Sequence, residues 1–180
     1  LIGISAETGS APWDRYARAL AEYLSTHSIE SADMGGVHLE LARILDDQLG
    51  QSPKALGVLR QGIAAAADND SLRLEMAQRL RRTGSHEQAS TEYLLLLSQQ
   101  PLQPVYWREL SHAFKDLGRQ EQSRLALGPL LALNAATQLE QATYGMRPPR
   151  PEAAQPGAFE QTAFRVVNAH VTGGIDDGPR

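Results

Sequence analysis

His86-Glu87 opens the H-E-x-x-H pattern, in which a helix presents two zinc-binding imidazoles and a general base on one face. The second ligand would stand four residues after His86, where the chain has Ser90. The pair therefore reads as the first turn of a helix and not as a metal site. The remaining histidines, His27, His38, His112 and His170, share no ligand spacing. The absence of cysteine excludes disulfides and thiolate metal sites. No serine lies in a G-x-S-x-G elbow. Gly35-Gly36 and Gly173-Gly174 are lone pairs and not phosphate-cradling loops. Asp46-Asp47 and Asp176-Asp177 read most simply as solvated acidic pairs. No arrangement of residues here supports catalysis, and the expectation is a protein that is not an enzyme, with no cofactor and no metal.

What must position any surviving site is a repeat. Gly50, Gly84 and Gly118 fall at a constant step of 34 residues. Five places after each glycine stands a small residue, Ala55, Ala89 or Ser123. Four places further on stands a large one, Leu59, Tyr93 or Leu127. A period of this length points to helix pairs stacked in series. In the unit 70–103, Leu72, Met76, Ala77 and Leu80 form one helical stripe. After Gly84, Ser85 and Gln88 have capping-box spacing, and Ala89, Tyr93, Leu96 and Leu97 form the second stripe before Pro101. The unit 104–136 offers Trp107, Leu110, Ser111 and Phe114, then Ser123, Leu127, Leu130 and Leu131, with a kink expected at Pro129. The aromatic residues at these positions read as core.

The unit 35–69 is irregular. Leu41, Ala42, Leu45 and Leu49 make a stripe, but Leu45 precedes its glycine by five residues where Leu80 and Phe114 precede theirs by four. One residue has been inserted before the turn. Ser52-Pro53 then starts the next helix, with Ser52 as the expected capping hydroxyl, and Ala55, Leu59 and Ile63 face inward. Upstream, residues 1–34 read as a partial preceding repeat. Its helix over about 12–27 turns Trp13, Tyr16, Ala17, Leu20 and Leu24 inward, and a polar loop runs from Ser28 to Gly36. Downstream, residues 137–147 read as a capping helix and 148–157 as a proline-rich linker. Residues 158–171 form an amphipathic helix with Phe159, Phe164, Val167 and Val171, and 172–180 form a disordered tail.

These residues resemble the tetratricopeptide repeat. Met76, Ala77, Leu80, Gly84, Ala89, Tyr93 and Pro101 stand at that family's consensus places in one unit. Trp107, Leu110, Ser111, Phe114, Gly118, Ser123 and Leu127 do so in the next. Arg73 and Leu96 depart from the pattern, as does Ala135 in place of proline. The stretch LARILDDQLGQSPKAL is also similar to repeats of very large bacterial repeat proteins. The resemblance implies an all-α, right-handed solenoid of about three antiparallel helix pairs with flanking helices. It implies no shared catalytic chemistry.

It also implies a concave groove lined by the first helix of each repeat. The groove positions carry over to Ser71, Leu74, Gln78, Arg81 and Arg82 in one unit. In the next they give Val105, Arg108, His112, Lys115 and Asp116, and in the irregular unit Leu39, Arg43, Asp46 and Asp47. The binding candidates are Arg43, Leu74, Gln78, Arg81, Arg82, Arg108, His112 and Lys115. Such a groove favours an acidic peptide or a terminal carboxylate, because arginine donates paired hydrogen bonds to either. Solvated helix faces are the alternative reading of the same residues. Gln78 and His112 replace the asparagine of the carboxylate clamp found in chaperone-binding members, which argues against binding of that kind.

Composition sets the outer limits. The 180 residues carry a formal charge of -4, and 42% are apolar. A broad nucleic-acid surface is therefore not expected. No apolar run approaches the roughly 18 residues that span a membrane. Of the 17 basic residues only Lys54 and Lys115 are lysine. The chain begins at Leu1 with no signal-peptide pattern, as expected of a fragment or processed product, and the compartment stays open with a slight lean to the cytoplasm. The expected function is a non-catalytic scaffold for a protein or peptide. The alternatives are a spacer within a longer array, self-associating through its open ends, and a regulatory segment of an enzyme whose catalytic domain lies outside this chain. Two substitutions test the helical hairpin. Ala89→Leu should overpack it and cost roughly 1–3 kcal/mol, and Gly84→Val should cost at least about 1 kcal/mol if Gly84 has a positive φ. Both are read from denaturant unfolding.

Overall fold

The computed structural model describes residues 11–27, 34–145 and Ala163, and every regular element among them is helical. They fall into two compact units divided between Thr83 and Gly84. The first holds α1 (Ala11–Thr26), α2 (Met34–Arg43), a π turn (Ile44–Gln48), α3 (Ser52–Ala65) and α4 (Asp70–Arg82). The second holds α5 (His86–Gln99), α6 (Pro104–Asp116), α7 (Gln120–Ala126), α8 (Gly128–Ala132) and α9 (Gln138–Gly145). The division separates α4 from α5, the two helices of the sequence unit 70–103.

In the first unit α2 packs on α3, and α3 on α4. Leu41, Ala42, Ala55, Leu59, Leu72, Met76, Ala77 and Leu80 are buried, as their periodicity requires. His38 is also buried, its Nδ1 2.7 Å from the Met34 carbonyl, which places it in the core and not at a ligand site. Asn69 caps α4, accepting the Leu72 amide at 3.2 Å.

The inserted residue before Gly50 is absorbed by the π turn. The Leu49 amide bonds the Ile44 carbonyl five residues back, at 3.1 Å. Gly50 then bonds Asp46 and Gln51 bonds Leu45. At Gly118 the matching bonds are Gly118 to Lys115 and Arg119 to Phe114, the ordinary Schellman pattern. Each bond at Gly50 thus reaches one residue further back, so the helix accommodates the insertion without losing its terminating glycine. Gly50, Gly84 and Gly118 have φ of 62°, 81° and 73°. A Cβ would meet no atom within 4 Å at any of the three, so glycine is favoured there by conformation and not by space.

In the second unit α5 and α7 both pack on α6. Tyr93, Trp107, Leu110 and Phe114 are buried. The Trp107 indole N–H donates to the Pro101 carbonyl at 2.7 Å, which satisfies its one polar atom. The two small residues facing each other between α6 and α7 are serines. Ser111 Oγ donates to the Ser123 carbonyl at 2.9 Å and lies 3.1 Å from Ser123 Oγ. The helix after Gly118 is broken at Leu127, and Pro129 follows within α8. Asn134, at φ 54°, ends α8 with a second Schellman pattern, Ala135 to Leu130 and Asn134 to Leu131.

Several expectations are corrected. Of the α1 stripe only Ala17 is buried. Leu20 and Leu24 are half-buried, whereas Trp13 and Tyr16 are 41% and 45% exposed. Met34, Gly35 and Gly36 belong to α2 and not to a loop. Ser52 makes no capping bond, since its hydroxyl donates to Asp46 instead. Ser85 likewise stands at the N-cap of α5 without a side-chain cap. The linker over 148–157, the tail over 172–180 and the helix over 158–171 lie outside the described residues, except for Ala163, which is helical and buried. Ser111→Ala should cost about 1 kcal/mol by leaving the Ser123 hydroxyl without its partner. The double Ser111→Ala, Ser123→Ala chain should recover most of that in chemical denaturation.

Candidate functional site

The first unit places Arg43 and Arg82 among carboxylates. Arg79, on α4, is the centre of this network, with 2% of its side chain exposed. It pairs with Asp46, with Glu75 at 2.8 Å and with Asp47 at 3.6 Å. Arg82 reaches Asp46 at 3.2 Å and Asp47 at 3.7 Å. Arg43 reaches Glu75 at 3.5 Å. Three guanidinium groups and three carboxylates thus balance, and Asp46 and Asp47 are not a solvated pair. Leu74, Gln78 and Arg81 are half-buried on α4. The positive charge carried by Arg43 and Arg82 on this face is compensated locally.

Sequence reasoning overlooked Arg79 because it fills no groove position. A signal was available: Arg79 lies 33 residues after Asp46, close to one repeat length. Residues one repeat apart stand on equivalent helices, which stack as neighbours in a repeat fold. Arg43 with Glu75, Arg119 with Glu87 and Arg108 with Glu140 are each separated by 32 residues.

The second unit is arranged differently. Val105, Arg108, His112 and Lys115 recur at helical spacing on one face of α6. Val105, His112 and Lys115 are exposed. Among the described residues no ion pair reaches His112 or Lys115. The carboxylates of α6 itself turn toward α5: Glu109 accepts from the Tyr93 hydroxyl at 3.5 Å, and Asp116 lies 3.8 Å from His86.

Arg108 is the exception on this stripe. Its Nε donates to Glu140 at 2.6 Å, and its Nη2 donates to the other Glu140 oxygen at 3.3 Å and to the Ala135 carbonyl at 2.7 Å. Glu140 in turn accepts the Thr137 amide at 2.6 Å, while Thr137 Oγ1 accepts the Glu140 amide at 3.3 Å. This is a capping box whose carboxylate is shared with a neighbouring helix. The Arg108 hydrogen bond, aided by Thr137, holds the Glu140 carboxyl down at about 2 against a usual 4.5, despite the opposing effect of burial. The same bond raises Arg108.

At its other end α9 is held by Tyr144. The Tyr144 ring lies under the Arg124 guanidinium, 5.4 Å to its centre, and Arg124 donates to the Tyr144 carbonyl at 3.1 Å. A Cβ on Gly128 would stand 3.3 Å from that ring, closer than ordinary contact, so glycine lets the tyrosine seat. Arg124 also grips Glu121, whose carboxyl is lowered by the bond.

Among the described residues no group of three or more His, Cys, Asp or Glu side chains could hold a metal ion. No described helix is long and apolar enough to cross a membrane. Clefts of about 510 Å³ and 340 Å³ lie in the first unit, lined by residues of α1, α2 and α3 that include Ala21, Leu41 and Val58.

No family model and no curated protein matches the chain. A solved structure, MamA AMB-1 P212121, does. It superposes with a TM-score of 0.51 at 15% identity, covering 91% of this chain and 94% of that one. MamA is a tetratricopeptide-like helical solenoid. The likeness shows the fold of this chain: all-helical and tetratricopeptide-like.

The Glu140 contact has a pH signature. The carboxyl is depressed in the folded state, so its stabilisation is complete above about pH 4.5 and is lost as pH falls toward 2. Amide exchange of α9 should therefore stay slow at neutral pH and accelerate across that window. In Glu140→Gln it should already be faster at pH 7.

Proposed function

We propose that the chain is a non-catalytic scaffold that binds an acidic peptide or protein segment along the α6 face. The observation that carries the reading is that Lys115 and His112, beside exposed Val105, meet no carboxylate among the described residues. Arg108 lies on the same stripe, one helical turn from His112. An extended acidic segment would meet a guanidinium capable of a forked hydrogen bond, a point charge at Lys115, and an apolar contact at the first turn. Arg43, Arg81, Arg82, Leu74 and Gln78 remain candidates for a second contact region on α4, where Asp46, Asp47 and Glu75 would compete with an incoming carboxylate.

A second reading has its own support. Trp13, Tyr16 and Tyr23 on α1 are each more than 40% exposed, and Leu139 on α9 is 77% exposed. Uncovered apolar residues of this kind suit the spacer of a longer array or self-association.

The two readings separate experimentally. His112→Glu with Lys115→Glu should weaken binding of a fluorescent hexaglutamate peptide by about tenfold or more, the equivalent of one lost charged contact. Far-UV circular dichroism and melting should be unchanged, because neither side chain is buried. Undiminished binding would overturn the α6 reading. Sedimentation that rises with concentration and is abolished by Trp13→Ser with Tyr16→Ser would favour the array.

A further inference from the structure

We infer that Glu140, at the start of α9, is a built-in occupant of Arg108 on the α6 face, holding the place that a partner's carboxylate takes. The inference rests on the α6 binding face proposed above and adds to it a competitor carried by the same chain. The geometry at Arg108 is that of a recognised ligand: both Glu140 oxygens accept from the guanidinium, and the Ala135 carbonyl takes a further donor contact. The contact closes the site, since Arg108 is the stripe residue with a carboxylate partner while His112 and Lys115 stay open.

The occupant is built to be lifted. No residue of α9 is fully buried, so little apolar surface opposes its release. Its first turn is fixed by the Arg108 contact and its own Thr137 cap. Its last turn is fixed separately by Tyr144 against Arg124 and Gly128. Glu140 can therefore leave Arg108 with the Tyr144 anchor still in place. An acidic segment arriving at His112 and Lys115 gains contacts there first and then exchanges with Glu140 at Arg108. Because Glu140 is ionised at neutral pH, the exchange is one carboxylate for another and needs no proton.

The competitor lowers apparent affinity by the fraction of molecules in which Arg108 is free. Binding of fluorescent hexaglutamate to the full chain should therefore be about tenfold tighter in Glu140→Gln and in Glu140→Ala than in the wild type, the factor expected when about a tenth of molecules are open. The gain should vanish when Arg108→Gln is added. Helix content by circular dichroism and slow amide exchange in α5 and α6 report that the variants fold, while α9 exchanges faster. Wild-type affinity in both Glu140 variants, with hexaglutamate still bound through Lys115, would overturn the inference and leave the α6 binding reading standing. Absence of binding by the wild type and both variants would overturn that reading and the inference with it.

Discussion

The Arg79 guanidinium, almost wholly removed from solvent, is the constraint around which the first unit is arranged. A buried cation is tolerated only with carboxylates against it, and removing one side of such a pair costs on the order of 3–5 kcal/mol. Asp46, Asp47 and Glu75 supply the charge. Two of the three lie on the π turn. The widened turn and the buried arginine therefore belong together: the turn that absorbs the extra residue before Gly50 also bears the two aspartates that meet Arg79. The same carboxylates then occupy Arg82, and Glu75 occupies Arg43. What looks like a basic surface in the amino-acid order is an internally neutral network in three dimensions.

The second unit holds its charges in separate pairs and not in one network: Arg108 with Glu140, Arg119 with Glu87 and Arg124 with Glu121. Its core is apolar and aromatic, and the Trp107 indole donates to Pro101 within it. His112 and Lys115 stand exposed on the stripe of α6 that also carries Arg108. One arginine of that face is answered by a helix that follows the last regular repeat. Glu140 performs two tasks at once, capping the start of its own helix and neutralising Arg108. A carboxylate so placed couples the folding of α9 to the state of the neighbouring surface.

The repeat, the three turns and most core positions were legible in the sequence because they depend on local chemistry. Glycine at a left-handed turn, small residues at close helix contacts and large ones behind them leave a periodic trace. The insertion before Gly50 was legible as a count, but its form as a π turn was not, since nothing in the residue types distinguishes a widened turn from a displaced one. Ser52 misled for a physical reason: a hydroxyl beside a helix start can serve the backbone or a nearby carboxylate, and Asp46 is nearby only in the folded chain. The stripe of α1 misled because amphipathicity shows which face could be buried and not whether a partner is present. Arg108 was legible as a groove residue, while its engagement by Glu140 needed the position of α9. An exposed binding surface leaves a weaker mark on a sequence than a core does.

A chain made of near-equivalent helix pairs carries a hazard of its own, since one repeat's second helix resembles another's and can be taken for it during folding. The Ser111–Ser123 contact bears on that hazard. At the matching places in the other repeats the small residues are alanines: Ala42, Ala55, Ala77 and Ala89. Were α7 to lie against α4, Ser123 would face Ala77, and a buried hydroxyl would have lost its partner across the helix pair. An unsatisfied group of that kind is penalised by about 1–3 kcal/mol. Between alanines, by contrast, any exchange of partners is nearly silent. The two serines thus act as a matched label, giving α6 and α7 a way to know each other that the repeat itself does not provide.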